Sequence, residues 1–254
     1  MSGMSQPTMP TGNRIELPLL TSDGASSVSV GEGYERWAPS YDRTPNPLLA
    51  REERYLLPLL PDLHDKHVLD LACGTGRWLE RLLARGAYLG VGVDLSIAML
   101  GIAQRKVTLT GRLARADCLR LPFRASVFDL AVCSFALSHI RDLQRMAREL
   151  ARVMKPDSDV FVSDLHPEAY AGGWRTGFRD AHGSCQIETL PRTAEEIVSV
   201  FHSAGFECLT HLPLCLGEPE RPMFAEAGKG HWFAERAQLP AVLVCRFRLR
   251  HLES

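Results

Sequence analysis

The segment Asp70-Leu71-Ala72-Cys73-Gly74-Thr75-Gly76-Arg77 joins a short apolar run, His67–Leu71, to an amphipathic one, Arg77–Arg85. Small residues at such a strand-to-helix junction let a ligand lie close to the backbone, and the N–H groups of the helix start attract negative charge. Asp94 closes a second apolar run, 18 residues beyond Gly76. An acid at that spacing accepts hydrogen bonds from both hydroxyls of a nucleoside ribose, although a turn aspartate or a cap for a helix opening at Ser96 looks the same. Asp117-Cys118 follows a third, weaker run. That carboxylate either accepts from an adenine amino group, with Leu95, Met99 and Leu119 flanking the ring, or is an ordinary loop aspartate. A Gly-x-Gly alone says little, but between a strand and a helix, with an acid at the end of the next strand, it describes a nucleoside site.

These residues need a scaffold that brings the ends of successive strands together. Strand and helix patterns alternate along the chain. Asn46-Pro47 caps and starts an amphipathic helix that stops near Pro58 or Pro61. His67–Leu71, Tyr88–Val93, Gly111–Ala114, Phe128–Phe135 and Ser158–Leu165 read as strands. Helices follow at Arg77–Arg85, from Ser96 to about Arg105, and from Asp142 to Met154, the last with Leu143, Met146, Leu150, Val153 and Met154 on one face. Thr193-x-x-Glu196 is a capping box for a helix ending at Gly205, and strands near Cys208–Leu216 and Ala241–Leu249 close the chain. This order predicts an α/β fold: a doubly wound, Rossmann-like, mostly parallel sheet with helices on both faces. The last two strands, joined by a connection with little helical periodicity, are free to pair antiparallel. Residues 1–30, rich in Ser, Gly, Thr and Pro, are expected to form a flexible tail to a single domain over 31–254.

Composition narrows the partners. The chain has 254 residues, 45% of them hydrophobic, enough for a full core. Its 29 Lys and Arg against 30 Asp and Glu lack the basic excess of a nucleic-acid-binding domain. No run reaches the length of a membrane span and no export signal is visible, so the seven widely spaced cysteines are expected to be reduced thiols in the cytoplasm. Cys208-x-x-His211-x-x-x-Cys215 is the nearest approach to a metal-ligand cluster, but it falls on a strand whose alternation already accounts for its cysteines, and no metal is expected.

Taken together, VLDLACGTGR (68–77), VGVDLS (91–96), RADCLRLPF (115–123), SVFDLAVCSFALSHI (126–140) and ELARVMKPDSDVFVSDL (149–165) resemble the class I S-adenosylmethionine-dependent methyltransferases of the UbiE-like, type 11 kind. YERWAPSYD (34–42) and HSAGF (202–206) extend the resemblance to nearly the whole chain without its tail. It implies a seven-stranded sheet whose last strand is antiparallel, with S-adenosylmethionine as cofactor and a small-molecule acceptor. By position, the loop with Asp70, Ala72, Cys73, Gly74 and Gly76 would hold the methionine part and Asp94 the ribose. Leu95, Met99, Asp117, Cys118 and Leu119 would meet the adenine, Ser134, Phe135 and Ser138 would line the methionine side, and Tyr34 and Tyr41 would fold over the cofactor. Two positions depart from the family pattern: Ala72 where many members have glycine, and Asp157-Ser158 in place of a Gly-Gly turn. The competing nicotinamide dinucleotide wants a third glycine at position 79, which is Leu, and has no use for Asp117.

Methyl transfer to an oxygen or nitrogen needs alignment and, for some acceptors, a base. His139, Asp164 and His166, near the ends of the fourth and fifth strands, are the candidate bases; positioning alone is the alternative. The segment 166–192 is expected to cap the substrate pocket, with Trp174 on its wall, Arg175 or Arg179 pairing with a substrate acid, and Trp232 and Phe233 completing the wall. The alternative is a surface excursion whose aromatics cover the core edge and whose arginines pair with surface carboxylates. A protein that binds the cofactor without transferring its methyl group, as a regulatory subunit or as the catalyst of another reaction, would share every one of these motifs.

Overall fold

The computed structural model describes residues 25–250. Side chains alternate along the central strands and so feed two cores. On β2 (His67–Leu71), Val68 packs to one face of the sheet while Leu69 and Leu71 pack to the other; on β5 (Phe128–Ser134), Leu130 and Val132 oppose Ala131 and Cys133 in the same way. The face that receives Leu69 and Cys133 is covered by α5 (Leu143–Val153) and α7 (Ala194–Ser203), through Met146, Leu150 and Phe201. The opposite face is covered by α2 (Pro47–Leu56) and α3 (Arg77–Ala84), through Leu48, Leu56, Trp78 and Leu82.

The remaining strands of this sheet are β3 (Leu89–Asp94), β4 (Leu113–Arg115), β6 (Met154–Leu165), β9 (Phe206–Cys215) and β10 (Pro240–Leu249). The seven lie in the order β4-β3-β2-β5-β6-β10-β9. β10 runs antiparallel to both neighbours and the pairs from β4 to β6 are parallel, as expected from the sequence. Strand order reverses between β2 and β5, which opens a crevice at their carboxyl ends.

Three features differ from the sequence reading. The connection before β10 contains α8 (Arg221–Glu226) and α9 (Gly230–Arg236), helices too short to show a periodic pattern. The segment 166–192 folds into α6 (Pro167–Ala171) and a hairpin of β7 (Gly177–Asp180) and β8 (Gly183–Ile187). Ser26–Val28, inside the stretch read as a flexible tail, forms β1 and pairs parallel with β8; the rest of that stretch up to residue 24 lies outside the described residues. The three strands β1, β8 and β7 make a second small sheet, and α1 (Val30–Trp37) packs on it. Its core is separate from the other two: Val28, Trp37, Phe178, Cys185 and Ile187.

Candidate functional site

At the crevice the backbone itself is unusual. Ala72, after β2, has φ 55 and Phe135, after β5, has φ 51, both in the left-handed region that favours glycine. An alanine there costs about 1 kcal/mol against glycine. The departure at Ala72 therefore holds the turn in a strained conformation. Asp157, the other departure, also sits at φ 61, at a solvent-exposed position on β6, where Asp tolerates that region. Gly74 and Gly76 have φ 54 and φ 80 and complete the tight passage into α3.

These turns enclose a cavity of about 650 Å³, within the usual range for small-molecule and cofactor sites. Asp94 is on its wall. The Gly74 N–H donates to its Oδ2 at 2.8 Å and the Ser96 N–H to its Oδ1 at 2.8 Å, so each oxygen keeps a lone pair for a ligand. Burial raises its pKa from the ordinary carboxylate value, and these backbone bonds oppose the shift. Asp117 accepts the Leu119 N–H at 2.9 Å through Oδ1 in a tight turn, with Leu95, Met99 and Cys118 nearby on the cavity wall. Asp70 is buried, accepts the Leu79 N–H at 2.8 Å and is pushed up to about 7, chiefly by burial.

Arg77, which the sequence reading passed over, also lines the cavity. Its guanidinium donates to Glu52 at 2.5 Å, to Glu53 at 3.2 Å and to Ser134 Oγ at 3.0 Å. Glu52 is fully buried and also accepts from Trp78 Nε1 at 3.2 Å and from the Ser163 hydroxyl. A buried acid is retained only when so compensated. The network fixes one cation beside the ends of β2 and β5. The only hint of it in the sequence is Arg77 directly following the second glycine.

The N-terminal elements close the other side. Val30, Gly31, Tyr34 and Glu35 of α1, and Tyr41 beyond it, line the cavity. Burial raises both tyrosines, Tyr41 to about 12 and Tyr34 well above the ordinary value. Trp37 stacks on Phe178 of the hairpin at 5.5 Å and meets Tyr41 edge-on at 4.7 Å. Arg36 Nε donates to Asp180 Oδ2 at 2.9 Å. The Thr75 hydroxyl of the glycine loop donates to Asp42 at 2.6 Å, tying this closure to the sheet.

His139 reaches the cavity from a 3-10 turn, Leu137–His139, after β5. Its Nδ1 lies 3.3 Å from the Glu188 carbonyl oxygen, which can only accept, so Nδ1 carries the proton in the neutral ring. Nε2 is then the acceptor, and the Tyr34 hydroxyl, 2.9 Å away, donates to it. Burial lowers the His139 pKa, while the charge of Asp164 and the Glu188 carbonyl oppose that shift.

Several expected site residues lie elsewhere. Gly76 does not line the cavity: it begins α3 with its α-carbon against Leu109, where a Cβ would meet Leu109 Cδ1 at 2.3 Å. Ser138 and Asp164 lie behind the wall and bond each other, through the Ser138 N–H at 2.7 Å and its hydroxyl at 3.1 Å. Asp164 also accepts the Leu165 N–H at 2.7 Å, so its oxygens are engaged in holding the His139 turn. His166 caps α6, its Nδ1 accepting the Glu168 N–H at 3.2 Å, and is not on the cavity wall.

Trp174, Arg175 and Arg179 are also absent from the wall. Trp174 is fully buried in the core on the α2 side, together with Phe233. Arg175 stacks over Tyr170 at 4.0 Å and donates to the Tyr170 and Trp174 carbonyls, and Arg179 donates to Ser184 Oγ at 3.3 Å within the hairpin. The hairpin thus braces α1 from outside. It is α1 that faces the cavity.

Comparison with known proteins agrees with this geometry. A family described as a methyltransferase domain matches residues 68–157. A demethylmenaquinone methyltransferase of Lactiplantibacillus plantarum is 35% identical over 136 residues, 48% of this chain and 56% of the relative. The chain thus spans little more than half the length of that relative. A demethylmenaquinone methyltransferase of Mycobacterium tuberculosis is 31% identical over 189 residues, 71% of this chain and 74% of the relative. Among solved structures, an S-adenosylmethionine-dependent methyltransferase from Mesorhizobium loti shares the fold with a TM-score of 0.63 at 24% identity, over 79% of this chain and 99% of that one.

Proposed function

The chain belongs to the class I S-adenosylmethionine-dependent methyltransferases, and on that premise we propose that the cavity at the ends of β2, β3 and β5 aligns the cofactor with a small hydroxylated acceptor. The observation that carries the reading is Asp94, a carboxylate on the cavity wall whose two oxygens are each oriented by a backbone N–H, from Gly74 and from Ser96, with acceptor capacity left over. That arrangement suits two adjacent ribose hydroxyls. Asp117 takes the adenine edge, and Leu95, Met99, Cys118 and Leu119 flank the ring. Ala72, Cys73 and Gly74 let the methionine part lie against the main chain, with Asp70 facing its ammonium and Arg77 its carboxylate. Ser134 orients Arg77, Phe135 borders the same end, and Tyr34 and Tyr41 close over the sulfur.

S-adenosylmethionine, when bound, supplies a methyl group on a charged sulfur with a good leaving group. The protein's part is to position the acceptor in line and to keep water out. α1 and the turn Tyr41–Arg43 after it do both, α1 held by its stack on the hairpin and the turn by the bond from Thr75 to Asp42. His139, neutral at pH 7 because it is buried, is the proton acceptor of the site. Gly76, Ser138 and Asp164 support the site from behind.

The relatives' names describe an action on demethylmenaquinone, and the apolar wall of Val30, Leu49, Phe135 and Ile140 suits an aromatic acceptor of that size class. The balanced charge argues against a nucleic-acid substrate, and the seven free cysteines suit the reducing cytoplasm. No helix among the described residues is long and apolar enough to cross a membrane. The test is incubation with methyl-labelled S-adenosylmethionine and a panel of small phenols, quinols and amines. Label in a product supports the reading. Tight cofactor binding without transfer to any of them would favour the alternative of a binding protein.

A further inference from the structure

Tyr34 entered the site as a residue folding over the cofactor, but its hydroxyl is committed to something else. It donates to His139 Nε2 at 2.9 Å, across 105 residues of sequence, and the two rings meet edge-on at 5.3 Å. His139 cannot turn away, because its other nitrogen is held by the Glu188 carbonyl, and its 3-10 turn is pinned by Asp164 through both the N–H and the hydroxyl of Ser138. Both side chains line the cavity. The lone pair of Nε2 is therefore covered by Tyr34, while the Tyr34 oxygen keeps its own lone pairs for whatever enters.

We propose that Tyr34 is the catalytic residue that meets the acceptor hydroxyl and relays its proton to His139. This rests on the methyl-transfer reading above. The acceptor O–H donates to Tyr34 Oη. As the acceptor oxygen bonds the methyl carbon and the carbon–sulfur bond breaks, the acceptor proton passes to Tyr34 and the Tyr34 proton passes to Nε2. The products are a methyl ether, a neutral thioether, an unchanged tyrosine and an imidazolium, whose proton then returns to water. A concerted relay never forms a tyrosinate, which burial and the nearby carboxylates of Asp164 and Asp94 would oppose. Asp164, on β6 behind the turn, offsets the charge of the imidazolium. Asp164 is thus a positioning residue, and the neutral tautomer is set by Glu188 on the strand-β8 side.

The experiment uses the full chain with Tyr34→Phe and His139→Gln variants and two readouts. The first needs no turnover. In nitrogen-15 histidine spectra, assigned by His139→Gln, His139 is expected as the Nδ1–H tautomer, and Tyr34→Phe should move its Nε2 signal to that of an unbonded imidazole nitrogen. An Nε2–H tautomer would overturn the relay.

The second readout is label transfer to the phenol and quinol panel. Tyr34→Phe should lower kcat by roughly 10²-fold or more, leave the affinity for S-adenosylhomocysteine within about twofold, and turn a curved, two-proton solvent-isotope dependence into a linear one. Unchanged kcat in Tyr34→Phe, or a loss confined to cofactor affinity, would overturn the relay while leaving the methyl-transfer reading intact. Absence of labelled product with the unaltered protein would overturn both.

Discussion

Replacing Asp94 with alanine separates ribose recognition from a general loss of fold. Each carboxylate oxygen accepts one backbone N–H, from Gly74 at 2.8 Å and from Ser96 at 2.8 Å, and has one remaining position. Two ribose hydroxyls would fill these positions, each a hydrogen bond to a charged acceptor with a net value of about 1.5 kcal/mol. Asp94→Ala is therefore expected to weaken S-adenosylhomocysteine binding by about 3 kcal/mol, roughly 150-fold. The loss of the two backbone anchors would add to this by loosening the glycine loop, so the single variant is not decisive. Titration calorimetry with the 2′-deoxy and 3′-deoxy analogues makes it so. On the unaltered protein each analogue should bind about tenfold more weakly, and on Asp94→Ala the missing hydroxyl should make little difference. If both proteins lose the same factor with the deoxy analogues, the ribose is not on Asp94, whatever the variant does to overall affinity.

Asp70 is held near 7 by burial, so the folded protein without cofactor keeps a proton there that the unfolded chain releases near the ordinary carboxylate value. Stability from this group is then fullest below about pH 4 and falls as pH rises towards 7, by on the order of 4 kcal/mol at most. Asp70→Asn should flatten that fall in a series of urea melts, and an unaltered pH slope would contradict it. Ala72→Gly should raise stability by up to about 1 kcal/mol by relieving the left-handed alanine, and a fall in Tm would show that the turn is not strained. Trp37→Ala removes the ring that joins α1 to the hairpin. It should weaken cofactor binding and speed amide exchange over 26–37 and 177–187 while β2 and β5 stay protected, and uniform loss of protection would mean that the closure is part of the main core.

The fold and the cofactor side of the cavity were legible because both rest on local constraints. A backbone that must pass close to a ligand demands small residues between strand and helix, and Asp70 to Gly74 carry that mark. Asp94 follows from the length of one helix and one strand. Direction was harder to read. Gly76 and Ser138 belong to the right turns but point away from the cavity, one against Leu109 and the other to Asp164. Trp174 and Phe233 fall in the 166–192 insertion and in the connection before the last strand, yet both fill the core on the α2 side. Aromatic content alone does not say which way a loop turns.

Long-range partners left no local trace at all. Ser26–Val28 is too short to alternate visibly and becomes a strand only because β8 lies beside it. Tyr34 and His139 meet across 105 residues, and only the closure of α1 over the sheet brings them together.

The most direct test is a crystal structure with S-adenosylhomocysteine. The account predicts the ribose on Asp94, the adenine between Met99 and Leu119 beside Asp117, and the sulfur facing Tyr34. An adenosine bound elsewhere, or these turns closed over by their own side chains, would contradict it.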